Sequence, residues 1–526
     1  MSGTVFLAPV RPRAEGASAG GLVVADGRVR ELLAPGAPAP AGCAIAPLPP
    51  GAVLFPAFAD SHLHLAALGR QGRELRLHGL SYEACLRLVK ARAAELPDDG
   101  WITGHGWDQN LWNLPQSESR GGWPLAAALD GAAGGRPVSL KRIDGHAAWV
   151  SRAALARARI SAETPDPPGG TIVRDRAGTP SGVLIDLAMA PVSAALPKRT
   201  VESIRGDLLD GRARMLAHGA LRLHDMDIDD ATAAAYLDLA RAGALRARVT
   251  AYAGAESALA RELLRTGPQR HGDSLRFAGI KLYADGALGS RGARLLCPYH
   301  DDPASCGLSL WTDADLAKLL RGCADAGLQV AAHAIGDGAC RQLLDHFEAF
   351  GGAPKQLRWR IEHAQIVDPA DVERIARLGL TASIQPGHAV GDAPWAEARL
   401  GRERLAGAYA YRALRDAGVP LALGSDAPID DERPLWQFHC AVKRCGFDGK
   451  PPGGFLPEQA LSAGEALIAL GETPAALTGD PGGLLAPGQP ADFVALSADI
   501  AADPAAAARC EVLGIWREGV AVASRE

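Results

Sequence analysis

Eight short apolar runs, spread along the middle of the chain and separated by helical patterns, constrain this sequence more than any other feature. They read FPAFADSHLHL, GALRLHDM, RARVTAYAG, FAGIKLYADG, LQVAAHAIGD, RWRIEHAQI, LTASIQPG and VPLALGSDAP. Short apolar runs of this kind suit parallel strands buried on both faces. Between most of them lie amphipathic stretches such as DADLAKLLRGCADAG and DPADVERIARLG, each opening with an aspartate able to cap a helix and closing with glycine. Strand and helix alternating eight times predict an α/β fold, a (β/α)8 TIM barrel.

One connection breaks the rhythm. From His64 to Gly219 the chain is far longer than a βα unit needs, so roughly residues 68–200 are expected to be an insertion with structure of its own. It holds the Trp-rich GHGWDQNLW, then KRIDGHAAWVSRAAL and a hairpin pattern, GGTIVRDRAGTPSGVLID. An insertion after the first strand leaves a barrel at the end where active sites lie, so it is expected to cap the substrate. Both chain ends read as β: GLVVADGRVREL turns at Asp26-Gly27, and EVLGIWREGVAVAS turns at Glu518-Gly519. Lone hairpins are unstable unless they pair, so the two ends are expected to build one small sheet domain together.

The bulk properties narrow the partners. With 526 residues, 48% of them hydrophobic, the chain has core enough for more than one domain. Its 55 basic and 60 acidic residues, for a net charge of -5, leave no footprint for nucleic acid or an anionic membrane. A small-molecule substrate is expected, with a homodimer the one macromolecular partnership left open. The opening MSGTVFLAPVRPR is too short in apolar residues for a signal core or a membrane span, so a cytoplasmic protein is expected. Nine cysteines without a C-x-x-C pair are expected to be reduced thiols, mostly buried.

The chemistry gathers at the ends of the predicted strands. His62 and His64 are two residues apart in an extended segment, so their rings point the same way, which suits two ligands on one metal. His333 ends QVAAHAIGD, His363 ends RIEHAQI, Asp426 ends LALGSDAP and Lys281 lies in GIKLYADG. Catalytic groups of barrels come from those strand ends. Neutral imidazoles and a carboxylate suit zinc, and a carboxylate-type bridge can hold two divalent ions. Lys281 fits this set only as the neutral amine: burial in an apolar strand lowers its pKa, and the free amine can add carbon dioxide to give an anionic carbamate. An ion pair of Lys281 with Asp285 or Glu362, and histidines satisfied by backbone partners, are the plainer alternatives.

The same residues carry a resemblance. PAFADSHLHL, RIDGHAAWVSRAAL, KLYADGALGSRGA, QVAAHAIGD, RIEHAQIVDPADVERIARLG, SIQPGHAVGDAPWAEARLG, GAYAYRALRDAGVPLALGSDAPID and PGQPADFVAL together resemble the amidohydrolase superfamily. More narrowly the chain is similar to the family 3 amidohydrolases, which include N-substituted formamide deformylase-like and YtcJ-like proteins. The resemblance implies a distorted barrel over residues 55–476, a β-sandwich from residues 1–54 and 477–526, and one or two divalent metals in the barrel mouth. It implies His62 and His64 as strand-one ligands, Lys281 as a carboxylated bridge, His333 and His363 as middle ligands, and Asp426 as the strand-eight ligand and general base. The implied reaction is hydrolysis of an amide-like, non-peptide C–N bond. The chain departs from the family at Ala57, where glycine is usual, and at LGETPAAL, where a Tyr-Thr and Asn-Pro pairing is usual; neither touches a proposed ligand.

Six further residues are candidate substrate contacts. Trp107, Asp108 and His146 lie in the insertion, where cap packing is the alternative; Arg291 could grip a carboxylate or form a structural ion pair. His224 and His388 end predicted strands. An ester or carbamate hydrolase would use the same machinery, and a silent metal-binding scaffold would keep the barrel alone. A glycosidase with paired carboxylates would not need H-x-H.

Overall fold

The computed structural model describes residues 3–524 apart from 14–15, 17, 98, 110–111, 113, 115–118, 121, 143–146, 168–169 and 176. Each of the eight apolar runs carries a barrel strand. In chain order these are Phe58–Leu63, Ala220–Ile228, Arg248–Gly254, Leu275–Tyr283, Gln329–Ala334, Arg360–His363, Thr381–Ile384 and Leu421–Leu423. Every neighbouring pair is parallel, and the strands follow one another around the sheet in sequence order.

The first and eighth strands close the barrel through the residues that follow them. His64 N donates to Ala427 O at 2.8 Å, and Asp426 N to His62 O at 2.6 Å. A buried carboxylate reinforces this seam. Asp60 accepts from His62 N at 3.0 Å, Ser425 N at 3.1 Å and Ser425 Oγ at 2.5 Å. Burial pushes its pKa up to about 7 against these hydrogen bonds.

The helices pack as their periodicity dictates. Helix Asp313–Asp325 buries Leu316, Leu320 and Cys323, one stripe of its surface, and each leucine so buried contributes about 1.5–3 kcal/mol. Its cap is Thr312, whose side chain accepts from Asp315 N, rather than the expected Asp313. A threonine oxygen one residue earlier reaches the third helical N–H, which the aspartate within the first turn cannot. The expected glycine stop holds, with Gly327 at φ +68°.

Both terminal hairpins form. Asp26-Gly27 and Glu518-Gly519 occupy left-handed backbone at φ +50° and +74°, and +52° and +76°, the geometry a two-residue turn requires. The first sheet takes Gly3–Phe6, Gly21–Ala25, Arg28–Leu33 and Cys43–Ala46. The second joins Val53–Pro56 to the C-terminal strands Phe493–Leu496, Val512–Arg517 and Val520–Ser524. Phe6 from the first sheet packs on Phe493 and Trp516 from the second, with ring centroids 4.8 and 6.0 Å apart. The two sheets are thereby faces of one sandwich core.

Backbone packing separates Arg70–Thr200 as a second compact unit from Met1–Gly69 with Val201–Glu526. Its six-stranded sheet runs Gly170–Arg174, Pro180–Asp186, Ala147–Val150, Val138–Arg142, Ile102–Trp107 and Leu75–Arg76. The first pair is the hairpin read from GGTIVRDRAGTPSGVLID. Among the described residues no helix is long and apolar enough to cross a membrane. All nine cysteines are unpaired, but only Cys85, Cys323, Cys340 and Cys440 are buried, so the expectation of mostly buried thiols is corrected. Cys297 and Cys306 are exposed in the segment after the fourth strand.

Candidate metal centre

His62 and His64 reach the mouth from the end of the first strand, and hydrogen bonds fix which ring nitrogen each presents. His62 Nδ1 lies 2.6 Å from Glu362 Oε2, and His64 Nδ1 lies 3.0 Å from the carbonyl of Met226. A carboxylate and a carbonyl can only accept, so each ring carries its proton on Nδ1 and turns the Nε2 lone pair outward. Both lone pairs aim at one atom: Asp426 Oδ1 is 3.5 Å from His62 Nε2 and 3.4 Å from His64 Nε2. Donor atoms of His62, His64 and Asp426 lie within 4.8 Å of one another, and so do those of His363, His388 and Asp426.

The backbone at these positions is unusual. His363 and Asp426 sit in left-handed conformations at φ +71° and +57°, which cost on the order of 1–3 kcal/mol each and cluster at functional sites. The rings form a chain of contacts, with centroids 4.9 Å apart for His62 and His363, 4.4 Å for His333 and His363, and 6.0 Å for His363 and His388. Buried His333 Nε2 and His363 Nδ1, and His388 Nε2, have no hydrogen-bond partner among the described residues. Unpaired buried polar atoms are costly, and these groups could hold a metal ion.

Electrostatics agree with that donor set. Burial, helped by the Lys281 charge, lowers His62 to about 4 and His333 to about 3, and burial holds His363 well below its ordinary value. All three are therefore neutral imidazoles near neutral pH. Asp426 is buried, yet the imidazoles around it, His62 foremost, hold its carboxyl well below the usual range. Lys281 lies in the same cluster, its Nζ 3.3 Å from His62 Nε2 and 4.8 Å from the centre of the Tyr283 ring. Burial brings its pKa down to about 8.

Lys281 makes no ion pair with Asp285 or Glu362. Asp285 is taken by the backbone N–H groups of Arg294, Ile335 and Gly336 at 2.9, 3.0 and 2.8 Å, and its Oδ1 lies 3.5 Å from His333 Nε2. Glu362 is taken by His62 and Arg360. Arg360, with no surface exposed, also bonds Ser61 O at 2.5 Å, Ser383 Oγ at 2.7 Å and His224 Nδ1 at 3.0 Å.

The structure sorts the six candidate substrate contacts. His388 joins the centre, on helix Pro386–Asp392 just after the seventh strand. His224 does not reach the mouth; it is wholly buried against Arg360 in the barrel interior. Trp107 is also wholly buried, its indole donating to Leu140 O at 2.7 Å, so it is core. Asp108 pairs with Arg142 at 2.9 Å. Arg291 grips Asp301 with two nitrogens, at 3.2 and 2.9 Å. His146 lies outside the described residues.

Arg360 and Asp60 were missed from the sequence, and Glu362 was offered only as an ion-pair partner for Lys281. The signal was present in RIEH: two opposite charges two residues apart in an otherwise apolar strand must face the interior together and pair there.

Comparison with known proteins places the chain in company. The profile of the Amidohydrolase family matches residues 50–523. The chain is 35% identical over 465 residues to the Bacillus subtilis protein YtcJ, covering 86% of each. It is 26% identical over 444 residues to the N-substituted formamide deformylase of Arthrobacter pascens, covering 79% of this chain and 78% of that protein. Among solved structures, a metal-dependent hydrolase of Pyrococcus horikoshii superposes with a TM-score of 0.78 at 26% identity, covering 94% of this chain and 98% of that one.

Proposed function

The chain belongs to the amidohydrolase family, and from that premise we propose that it hydrolyses the C–N bond of a small amide, an N-acyl, N-formyl or cyclic amide, with Asp426 as the proton-transferring residue. It is a metal-dependent hydrolase acting on carbon–nitrogen bonds other than peptide bonds. The observation that carries the finer reading is the convergence of two tautomer-locked imidazoles on one ionised carboxylate, His62 and His64 on Asp426. The relative named for N-substituted formamides supports the N-formyl class.

His62, His64 and Asp426 would hold the ion, zinc by the nature of the donors, with His333 and His363 as the further imidazoles and Lys281 beside them. When bound, such an ion polarises a carbonyl and acidifies water. Asp426 takes the proton of the attacking water as the C–O bond forms, and returns it to nitrogen as the C–N bond breaks. Glu362 and Met226 O keep His62 and His64 in the tautomers that leave Nε2 free.

Lys281 in this reading is carboxylated. Its neutral Nζ lone pair attacks carbon dioxide, an N–C bond forms, and a proton leaves the nitrogen, giving a carbamate. With the amine at about 8, carbamate is expected to grow in steeply between pH 7 and 9, whereas an ordinary lysine would stay protonated there. Protein equilibrated with 13C-bicarbonate is expected to show a carbamate resonance that rises over that range and is absent from Lys281→Met; a spectrum identical for the two proteins refutes the carbamate.

The test of the function is a panel of N-formyl, N-acyl and cyclic amides assayed with wild type and Asp426→Asn, metal content being measured on both. The substitution is expected to lower kcat by about 10²–10⁴-fold. Unchanged turnover with metal bound eliminates Asp426 as the base.

A further inference from the structure

We propose that His388 is a metal ligand, which with His363 and Asp426 forms a second cation seat beside the one formed by His62, His64 and Asp426. The inference rests on the metal-hydrolase reading above and adds a ligand to it.

The two oxygens of Asp426 divide the site. Oδ1 faces His62 and His64 at 3.5 and 3.4 Å, while Oδ2 faces His388 Nε2 at 3.8 Å. The donor atoms of His363, His388 and Asp426 lie within 4.8 Å of one another, as close as those of the first triad. The His363 and His388 rings are nearly parallel, 10° apart. His363 is 4% exposed, and its Nδ1, like His388 Nε2, has no hydrogen-bond partner among the described residues. Two imidazole nitrogens and a carboxylate oxygen around one point, two of the three unpaired, are a divalent cation's donor set.

The segment carrying His388 is held in place. Gly387 N donates to Gln437 Oε1 at 3.0 Å, and a Cβ at Gly387 would fall 1.6 Å from Asp430 Oδ2, so a larger residue there would have to displace that carboxylate. At the other end of the helix Asp392 accepts from Tyr409 OH at 2.5 Å and Gln365 Nε2 at 2.8 Å. A ligand on a short helix needs such anchoring to keep its geometry. With Oδ1 toward His62 and His64 and Oδ2 toward His388, a single aspartate would serve both triads.

The experiment is a Co2+ titration of the full-length metal-free protein, followed by metal analysis and absorption. Wild type is expected to take up two equivalents, and His388→Gln to bind the second at least tenfold more weakly while keeping the first. His388→Cys supplies a positive readout: a thiolate at this position gives a sulfur-to-cobalt charge-transfer band in the near ultraviolet, absent from wild type, only if residue 388 coordinates. The inference is overturned if His388→Gln binds both equivalents as wild type does, if wild type binds one and His388→Gln retains it, or if folded His388→Cys gives no such band. Wild type binding no divalent ion at all overturns the metal-hydrolase reading itself.

Discussion

Two of the molecule's clusters of packed rings, one in the 70–200 unit and one in the barrel mouth, differ in one respect. In the 70–200 unit Trp107, Trp112, Trp149 and Tyr82 stack and edge against one another at 5.4–6.3 Å. Each of the three indoles is satisfied, donating to Leu140 O, Leu80 O and Leu125 O. In the barrel mouth His62, His64, His333, His363 and His388 lie at similar spacings, but nitrogens of His333, His363 and His388 have no hydrogen-bond partner among the described residues. The indoles of the first cluster are finished by backbone carbonyls, and it is a core. The second offers imidazole nitrogens to a further group, so ring density alone does not distinguish a site from a core; the hydrogen-bond account does.

That contrast can be stressed by substitution. The largest effect is expected beneath the mouth: Arg360→Met strands the Glu362 carboxylate in the interior and should destabilise the protein by about 3–5 kcal/mol, read from guanidinium unfolding. Adding Glu362→Leu should recover most of that loss, because removing both charges avoids the desolvation penalty. If the double variant is no more stable than the single one, the pair is not the source of the loss. Glu362→Gln is milder. It frees His62 to adopt the wrong tautomer and should weaken metal binding by about 10–100-fold, measured by competition with a chelator; an unchanged affinity means the tautomer is set elsewhere.

The smallest effect is expected in the tryptophan cluster. Trp107→Phe keeps an aromatic ring but removes the indole's hydrogen bond to Leu140 O, at a cost of about 0.5–1.5 kcal/mol, and metal content should stay at the wild-type value. Loss of metal in this variant would erase the distinction between the two clusters.

Much of the barrel was legible because its signals are local. Eight apolar runs and their helical spacers follow from burial on both strand faces, and Asp26-Gly27 and Glu518-Gly519 announce their turns by residue type alone. Sequence placed His62, His64, Lys281, His333, His363 and Asp426 at strand ends, and the structure gathers them at one mouth. It did not distinguish Trp107, which is core, from a substrate contact, nor Arg291, whose partner Asp301 lies ten residues on. Those decisions depend on which partner a side chain finds, and a local pattern holds no record of that.

His62 and His64 show where that boundary falls. Their separation by one residue in an extended strand already put both rings on one side, since the side-chain period of a strand is two. Which nitrogen each ring presents was decided by Glu362 and Met226, 300 and 162 positions away in the chain. That Asp426 offers one oxygen to these rings and the other to His388 was likewise settled by closure of the first strand on the eighth. Residue type and spacing fix which chemistry a side chain can perform; the donor and acceptor atoms it meets across the barrel fix which of its atoms is free to perform it.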